Sequence, residues 1–225
     1  MRIGVFGGRF DPIHNGHLAV AKEVLKMGKA DEVWLSIENQ HQWRPIIAAA
    51  NDRKKMAELA IDSITDVILS NAKDIYSSAM SQNDKNKIAV SPEAPRNDIQ
   101  NNFKVDMTPV ELGGTTETIQ VVRQLRKKYP EHEFIFIVGS DQLPTFHKWS
   151  HWEDLKKEVQ FLIVTRKGSP LDNIPKNASV ITDPTYEPLD DSATRIREFL
   201  HVGTSISGLV PKAVEEYIKE HKLYQ

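Results

Sequence analysis

Residues 5–18 read Val-Phe-Gly-Gly-Arg-Phe-Asp-Pro-Ile-His-Asn-Gly-His-Leu, and the fold can be worked outward from them. The apolar run Ile3 to Phe6 predicts a buried strand, and Gly7-Gly8 a turn behind it. Leu18, Val20, Ala21, Val24 and Leu25 recur with helical spacing and predict a helix from His17 to about Met27. Gly28 suits the end of that helix, and Val33 to Ile37 reads as a second strand. A strand–helix–strand unit of this kind is the building block of a parallel sheet. A glycine turn between strand and helix can present backbone N–H groups to a phosphate, because no Cβ holds the phosphate away. His14 and His17 add imidazole donors where charge develops on phosphorus. Transfer at phosphorus rests largely on alignment and charge stabilisation, so no covalent nucleophile is required.

The remaining pattern extends this unit. Helices are expected over Asp52–Ile61, Thr116–Lys128, Trp152–Lys157 and Pro211–His221, with another beginning at Thr194–Leu200. Phe134 to Val138 is the most apolar run and reads as a central strand. Phe161–Val164 is a further strand, and Val180-Ile181 a weaker one. Strands alternating with helices predict an α/β fold, a doubly wound parallel sheet in a single domain over residues 1–225. A polar stretch at about 70–102 reads as a surface insertion. Ligands in such folds lie at the carboxyl ends of the strands. Gly7-Gly8 and Gly139-Ser140-Asp141 are therefore expected to face one crevice.

Composition narrows the classes. The chain has 225 residues, 40% of them hydrophobic, which suits a globular protein with a sizeable core. A net charge of −2 argues against a broad nucleic-acid surface. The absence of cysteine excludes disulfides and thiolate metal sites. His14 and His17 have no nearby third ligand, so no metal held by the protein is expected. No apolar stretch is long enough to span a bilayer, and the N-terminus enters a strand directly. A cytoplasmic location is the expectation, with homo-oligomers left open.

Two more segments carry site chemistry. In Ser192-Ala193-Thr194-Arg195-Ile196-Arg197, hydroxyls stand at a helix start, and arginines that match phosphate oxygens follow. After the central strand, Asp141 can accept two hydrogen bonds from a ribose, and Trp149 can stack on a flat ring.

The run Gly-Gly-x-Phe-Asp-Pro-x-His-x-Gly-His resembles the HxGH nucleotidyltransferases, and within them the nicotinate-nucleotide adenylyltransferases. The resemblance spans most of residues 1–62 and 103–225. It implies adenylyl transfer from ATP to the 5′-phosphate of nicotinate mononucleotide in NAD synthesis, with pyrophosphate released. His14, His17 and Arg197 would be catalytic. Gly7, Gly8, Phe10, Arg166, Ser192, Thr194 and Arg195 would join them in binding ATP, with Arg166 near the adenine. Asp141 and Trp149 would bind the mononucleotide, Trp149 facing its pyridine. Mg²⁺ would be bound through the ATP phosphates.

Several positions depart from the family. Asn39-Gln40-His41-Gln42-Trp43-Arg44-Pro45 replaces a Pro-Pro-His-Lys segment, with Arg44 in place of the lysine. Thr116-Glu117-Thr118 replaces Ser-Tyr-Thr, Arg9 replaces a small hydroxyl residue, and Ala193 a serine. Arg44, Thr116 and Thr118 are thus expected to contact the mononucleotide in altered form. The same chemistry on nicotinamide mononucleotide or on another acceptor such as phosphopantetheine stays open. So does a non-catalytic nucleotide-binding or sensing module.

Overall fold

The computed structural model describes residues 1–40, 45–64, 102–166, 168–169, 171–181 and 192–225. The expected insertion at about 70–102 and Arg44 fall almost wholly or wholly outside them.

The opening unit forms as its sequence requires. Strand β1 (Arg2–Gly8) leads to helix α1 (Asn15–Lys26) and strand β2 (Glu32–Ile37), every residue of which is buried. Gly28 follows the helix at φ +62°, a left-handed conformation that glycine adopts without a Cβ penalty. Helix α2 covers 50–64. Strand β3 (Phe103–Asp106), short helix α3 (Thr108–Leu112), helix α4 (Thr118–Lys128) and strand β4 (Glu133–Gly139) come next. A 3-10 helix (Ser140–Lys148), helix α5 (Trp152–Glu158), strands β5 (Gln160–Val164) and β6 (Ala178–Val180), and helices α6 (Ala193–His201) and α7 (Lys212–Glu220) complete the described chain.

The six strands pair in parallel in the order β3-β2-β1-β4-β5-β6. The order reverses between β1 and β4, and a doubly wound sheet opens its ligand crevice at that point. The β1–β4 register ends at Phe6–Ile137, while β1 stays paired with β2 through Gly8–Ile37. The two central strands therefore part company at the crevice, with Gly7 and Gly8 on its edge.

Alternation along the strands sorts two cores. Ile3, Val5 and Trp34 join Ile119, Val122 and Leu125 of α4 on one face. Phe6, Val33, Leu35 and Ile37 join α1, α2, α6 and α7 on the other. A parallel sheet buried on both faces accounts for the continuous apolar runs.

Three sequence expectations are corrected. Gly7 and Gly8 are the last residues of β1 and not a turn; the bend comes at Phe10, φ +47°, followed by a cis Asp11–Pro12 bond. Phe10 holds its left-handed backbone because its ring is buried edge-to-face on Phe6 and His17. Helix α4 begins at Thr118, because Glu117 caps it and donates its N–H to the Gln120 side-chain oxygen; Thr116 lies outside. Strand β3 went unread because only Phe103 and Val105 in it are apolar. Its position is fixed by Asp106, a buried carboxylate that accepts from Ser36 Oγ (2.6 Å), Thr108 Oγ1 (2.6 Å) and Thr108 N–H (3.0 Å).

Asp106→Ala should destabilise the fold by about 2–4 kcal/mol, since buried donors on β2 and α3 lose their common acceptor. Urea unfolding measures this, and a change below ~0.5 kcal/mol would remove Asp106 from the supports of β3.

Candidate active site

The bend after β1 is built around Asp11. Its buried carboxylate accepts from the N–H groups of Ile47 (2.7 Å) and Ala48 (3.0 Å) and from the Tyr224 hydroxyl (2.7 Å). Its carbonyl accepts from Arg197 Nη1 (2.6 Å). Arg53, also buried, donates to the carbonyls of Arg9 (2.8 Å) and Glu38 (2.7 Å), joining the ends of β1 and β2.

His14 and His17 open α1 from this bend. His14 is the N-cap, and its N–H donates to His17 Nδ1 at 3.3 Å. In the neutral ring this puts the His17 proton on Nε2, leaving that N–H for a ligand. The two rings lie against each other with centroids 3.7 Å apart and planes tilted by 33°, and the Phe10 ring meets His17 edge-on at 5.0 Å. His14 is buried, and its Nδ1 has no hydrogen-bond partner.

Both imidazoles are held neutral. Burial, with Arg166's charge adding to it, pushes His14 down to about 3. Burial also lowers His17, helped by His14, Arg166 and Arg9. Positive charge in the site thus rests on arginines, and each histidine offers one N–H.

The other expected residues fall into two groups. Ser192 caps α6, accepting from the Arg195 N–H at 3.2 Å, and Thr194 Oγ1 accepts from Arg197 Nη2 at 3.3 Å. Arg197 thereby joins the start of α6 to the Asp11 bend beside the histidines. Arg195 instead lies over the Phe199 ring of its own helix, 5.2 Å from the centroid. Arg166 follows β5; its Nε pairs with Asp141 Oδ1 at 3.1 Å, and its N–H donates to Ser140 Oγ. Both charged groups are about 40% exposed, so water screens this pair.

A Cβ at Gly139 would crowd the Asp141 carboxylate and the Arg166 guanidinium, so a larger residue there would displace that pair. Gly8 is needed for packing, because a Cβ would lie 3.1 Å from the Phe10 ring. At Gly7 a Cβ would meet no protein atom within 4 Å. The close-approach reading of the sequence therefore fits Gly7 and not Gly8.

Thr116 and Thr118 meet Gly7, Ser36, Glu38 and Asn39 around a cavity at the ends of β1 and β2. Trp149 is not among its walls; its half-buried ring packs edge-on against Phe146, 4.7 Å between centroids. The next residues run to the start of α4: Ser150 Oγ donates to Glu117 Oε1 (2.6 Å), and His151 lies 3.5 Å from the same carboxylate. Arg44 lies outside the described residues.

Four residues without an assigned role in the sequence now have one. Asp11 and Tyr224 hold the bend, Arg53 ties two strand ends, and Glu38 lines the cavity. Asp11 and Glu38 each carried a signal, as an acid within the apolar Phe10–Ile13 run and an acid directly after a wholly buried strand.

A sheet that opens at its switch point, with neutral histidines and an arginine-bearing helix start around one bend, defines a nucleotidyltransferase. Comparison with known proteins agrees: residues 5–199 match the model of the cytidylyltransferase-like family. A Bacillus licheniformis protein named a probable nicotinate-nucleotide adenylyltransferase is 30% identical, covering 100% of this chain and 98% of its own. The Bacillus subtilis nicotinate-nucleotide adenylyltransferase is 29% identical over the same shares of the two chains. The fold matches a Plasmodium falciparum nicotinic acid mononucleotide adenylyltransferase complexed with NaAD, at TM-score 0.72 and 20% identity, covering 99% and 97% of the two chains. The chain belongs to the cytidylyltransferase-like nucleotidyltransferase family and is an enzyme of it.

The depressed histidines set an acid limit on stability. Below the ordinary value of 6.5 the unfolded chain binds protons that native His14 refuses until about 3. Stability is therefore complete above pH 6.5 and declines as pH falls toward 3, by up to about 1.4 kcal/mol per pH unit for each such histidine. Urea unfolding at pH 7 and pH 5 should show wild type losing ~1–2 kcal/mol more than His14→Asn. Equal losses would mean that His14 is not held neutral.

Proposed function

We propose that the protein transfers AMP from ATP to the 5′-phosphate of nicotinate mononucleotide, releasing pyrophosphate, as a step of NAD synthesis. The observation that carries this reading is the neutral, closely packed His14–His17 pair joined through the Asp11 bend to Arg197. The full-length relatives named for this activity supply the acceptor.

The acceptor phosphate oxygen attacks the α-phosphorus in line. A bond forms between them, and the bond from the α-phosphorus to the bridging oxygen of the β-phosphate breaks. A phosphate monoester is anionic near neutral pH, so no base need deprotonate it. Charge moves toward the leaving pyrophosphate, and the His17 Nε2–H, with the His14 ring beside it, stabilises it there. A well-placed donor of this kind contributes on the order of 3 kcal/mol. Neutral rings suit the role, since each can donate without having to give up its proton.

Arg197, Thr194 and Ser192 hold the outgoing phosphates at the α6 N-terminus, where the helix dipole also favours anions. Arg166 adds positive charge across the crevice, and its partner Asp141 is placed to turn to a ribose. Gly7 lets the nucleotide approach the backbone. Among the described residues no three His, Asp or Glu side chains gather as a metal set. Mg²⁺ would arrive with ATP and would offset the negative charge of its phosphates. No helix of the described residues is long and apolar enough to cross a membrane, and the cytoplasm is the setting proposed for the reaction.

The deciding experiment is pyrophosphate release from ATP with nicotinate mononucleotide, run beside phosphopantetheine and a no-acceptor control. Release only with the pyridine nucleotide is expected; ATP binding without turnover would leave a nucleotide-sensing module. His17→Ala should lower kcat about a hundredfold, and full activity would remove its catalytic role. Arg197→Ala should raise the KM for ATP about tenfold, while an unchanged ATP affinity would detach α6 from the triphosphate.

A further inference from the structure

The cavity at the ends of β1 and β2 contains one ionisable side chain among its described walls, Glu38. The backbone of Glu38 continues the β1–β2 pairing, its N–H donating to the Gly8 carbonyl (3.0 Å). Its Oε2 is buried and has no hydrogen-bond partner. A buried carboxyl oxygen left unmatched within the protein marks a place where a ligand group can supply the match.

Three side-chain donors around the cavity are in use. Ser36 Oγ donates to Asp106, Thr116 Oγ1 to the Pro109 carbonyl, and Asn39 Nδ2 to the Gly114 carbonyl. A carboxylate entering here can only accept hydrogens, whereas a carboxamide brings two of its own. A neutral Glu38 can donate its O–H to a carboxylate. An ionised Glu38 repels a carboxylate and accepts from a carboxamide.

Resting on the adenylyltransferase reading above, we propose that Glu38 is the specificity residue that reads the pyridine substituent of the acceptor. With the proton on Glu38 the cavity takes nicotinate mononucleotide, and without it nicotinamide mononucleotide. Burial raises Glu38 above the usual carboxyl range, outweighing Arg9 from the end of β1 and Arg53 from α2, which favour the ionised form. Glu117 at the start of α4 faces Ser150 and His151. A carboxylate ligand would hold the proton on Glu38 more firmly, and a carboxamide would not.

The test measures kcat/KM for the two mononucleotides separately, at saturating ATP, from about pH 6 to about pH 9. Their ratio cancels titrations shared by both reactions, including those of the histidines and of the acceptor phosphate. In wild type the nicotinate-to-nicotinamide ratio should fall by about tenfold or more across this range. Glu38→Gln, permanently neutral and nearly isosteric, should keep the low-pH ratio at every pH. Glu38→Ala should raise the KM for nicotinate mononucleotide at low pH with kcat little changed. A wild-type ratio that stays flat, or a Gln variant with the wild-type slope, overturns the role of Glu38 and leaves the activity standing. Failure of both mononucleotides to release pyrophosphate brings down the activity itself and this inference with it.

Discussion

The Asp11 side chain is the junction on which the catalytic end of the molecule depends. It follows β1 by three residues, yet its partners come from the segment before α2, from α6 and from the last residues of the chain. Tyr224 lies 213 residues away in sequence and Arg197 lies 186 away. A buried carboxylate is costly unless its lone pairs are filled, and here three donors fill them. Burial, with Asp11's charge and its acceptor role adding to it, raises the Tyr224 hydroxyl far above its ordinary range, so it stays a donor. The bend that carries Phe10 and presents His14 is thus set by the assembled fold and not by its local sequence.

From this junction the electrostatics of the crevice follow. Tight packing of the bend buries the histidines, and burial outweighs other causes in keeping them neutral. Positive charge is left to Arg166 and Arg197, and on the proposed reading it attracts a polyphosphate. Guanidinium groups remain charged at any working pH, so attraction and donation are assigned to different residues. An imidazolium pair with centroids 3.7 Å apart would repel itself, and the neutral pair avoids that repulsion.

Much of this was legible in the sequence. The doubly wound sheet followed from strands and helices of different period, and the structure joins Arg197 of α6 to the Asp11 bend that leads to His14 and His17. What escaped reading was encoded at long range or in few residues. Strand β3 has two apolar side chains, and its place comes from Asp106 reaching Ser36 across 70 residues. Gly8 was read as making room for a phosphate, whereas its neighbour is the Phe10 ring. Arg195 followed a phosphate-binding pattern, yet its guanidinium lies over Phe199, because residues four apart on a helix share a face.

The two halves of the crevice are under unequal constraint. At the bend, Asp11 is held by partners from three distant segments, so a single substitution there disturbs several of them. On the acceptor side, Glu38 and Thr118 project from backbone that is fixed by the β1–β2 ladder and by the Glu117 cap. Their side chains can change without moving those supports. The departures from the family fall on both sides, Arg9 and Ala193 beside the bend and at the start of α6, Thr116-Glu117-Thr118 at the cavity. A fold with its rigid junction at Asp11 can vary the cavity around Glu38 without rebuilding the bend that carries the histidines.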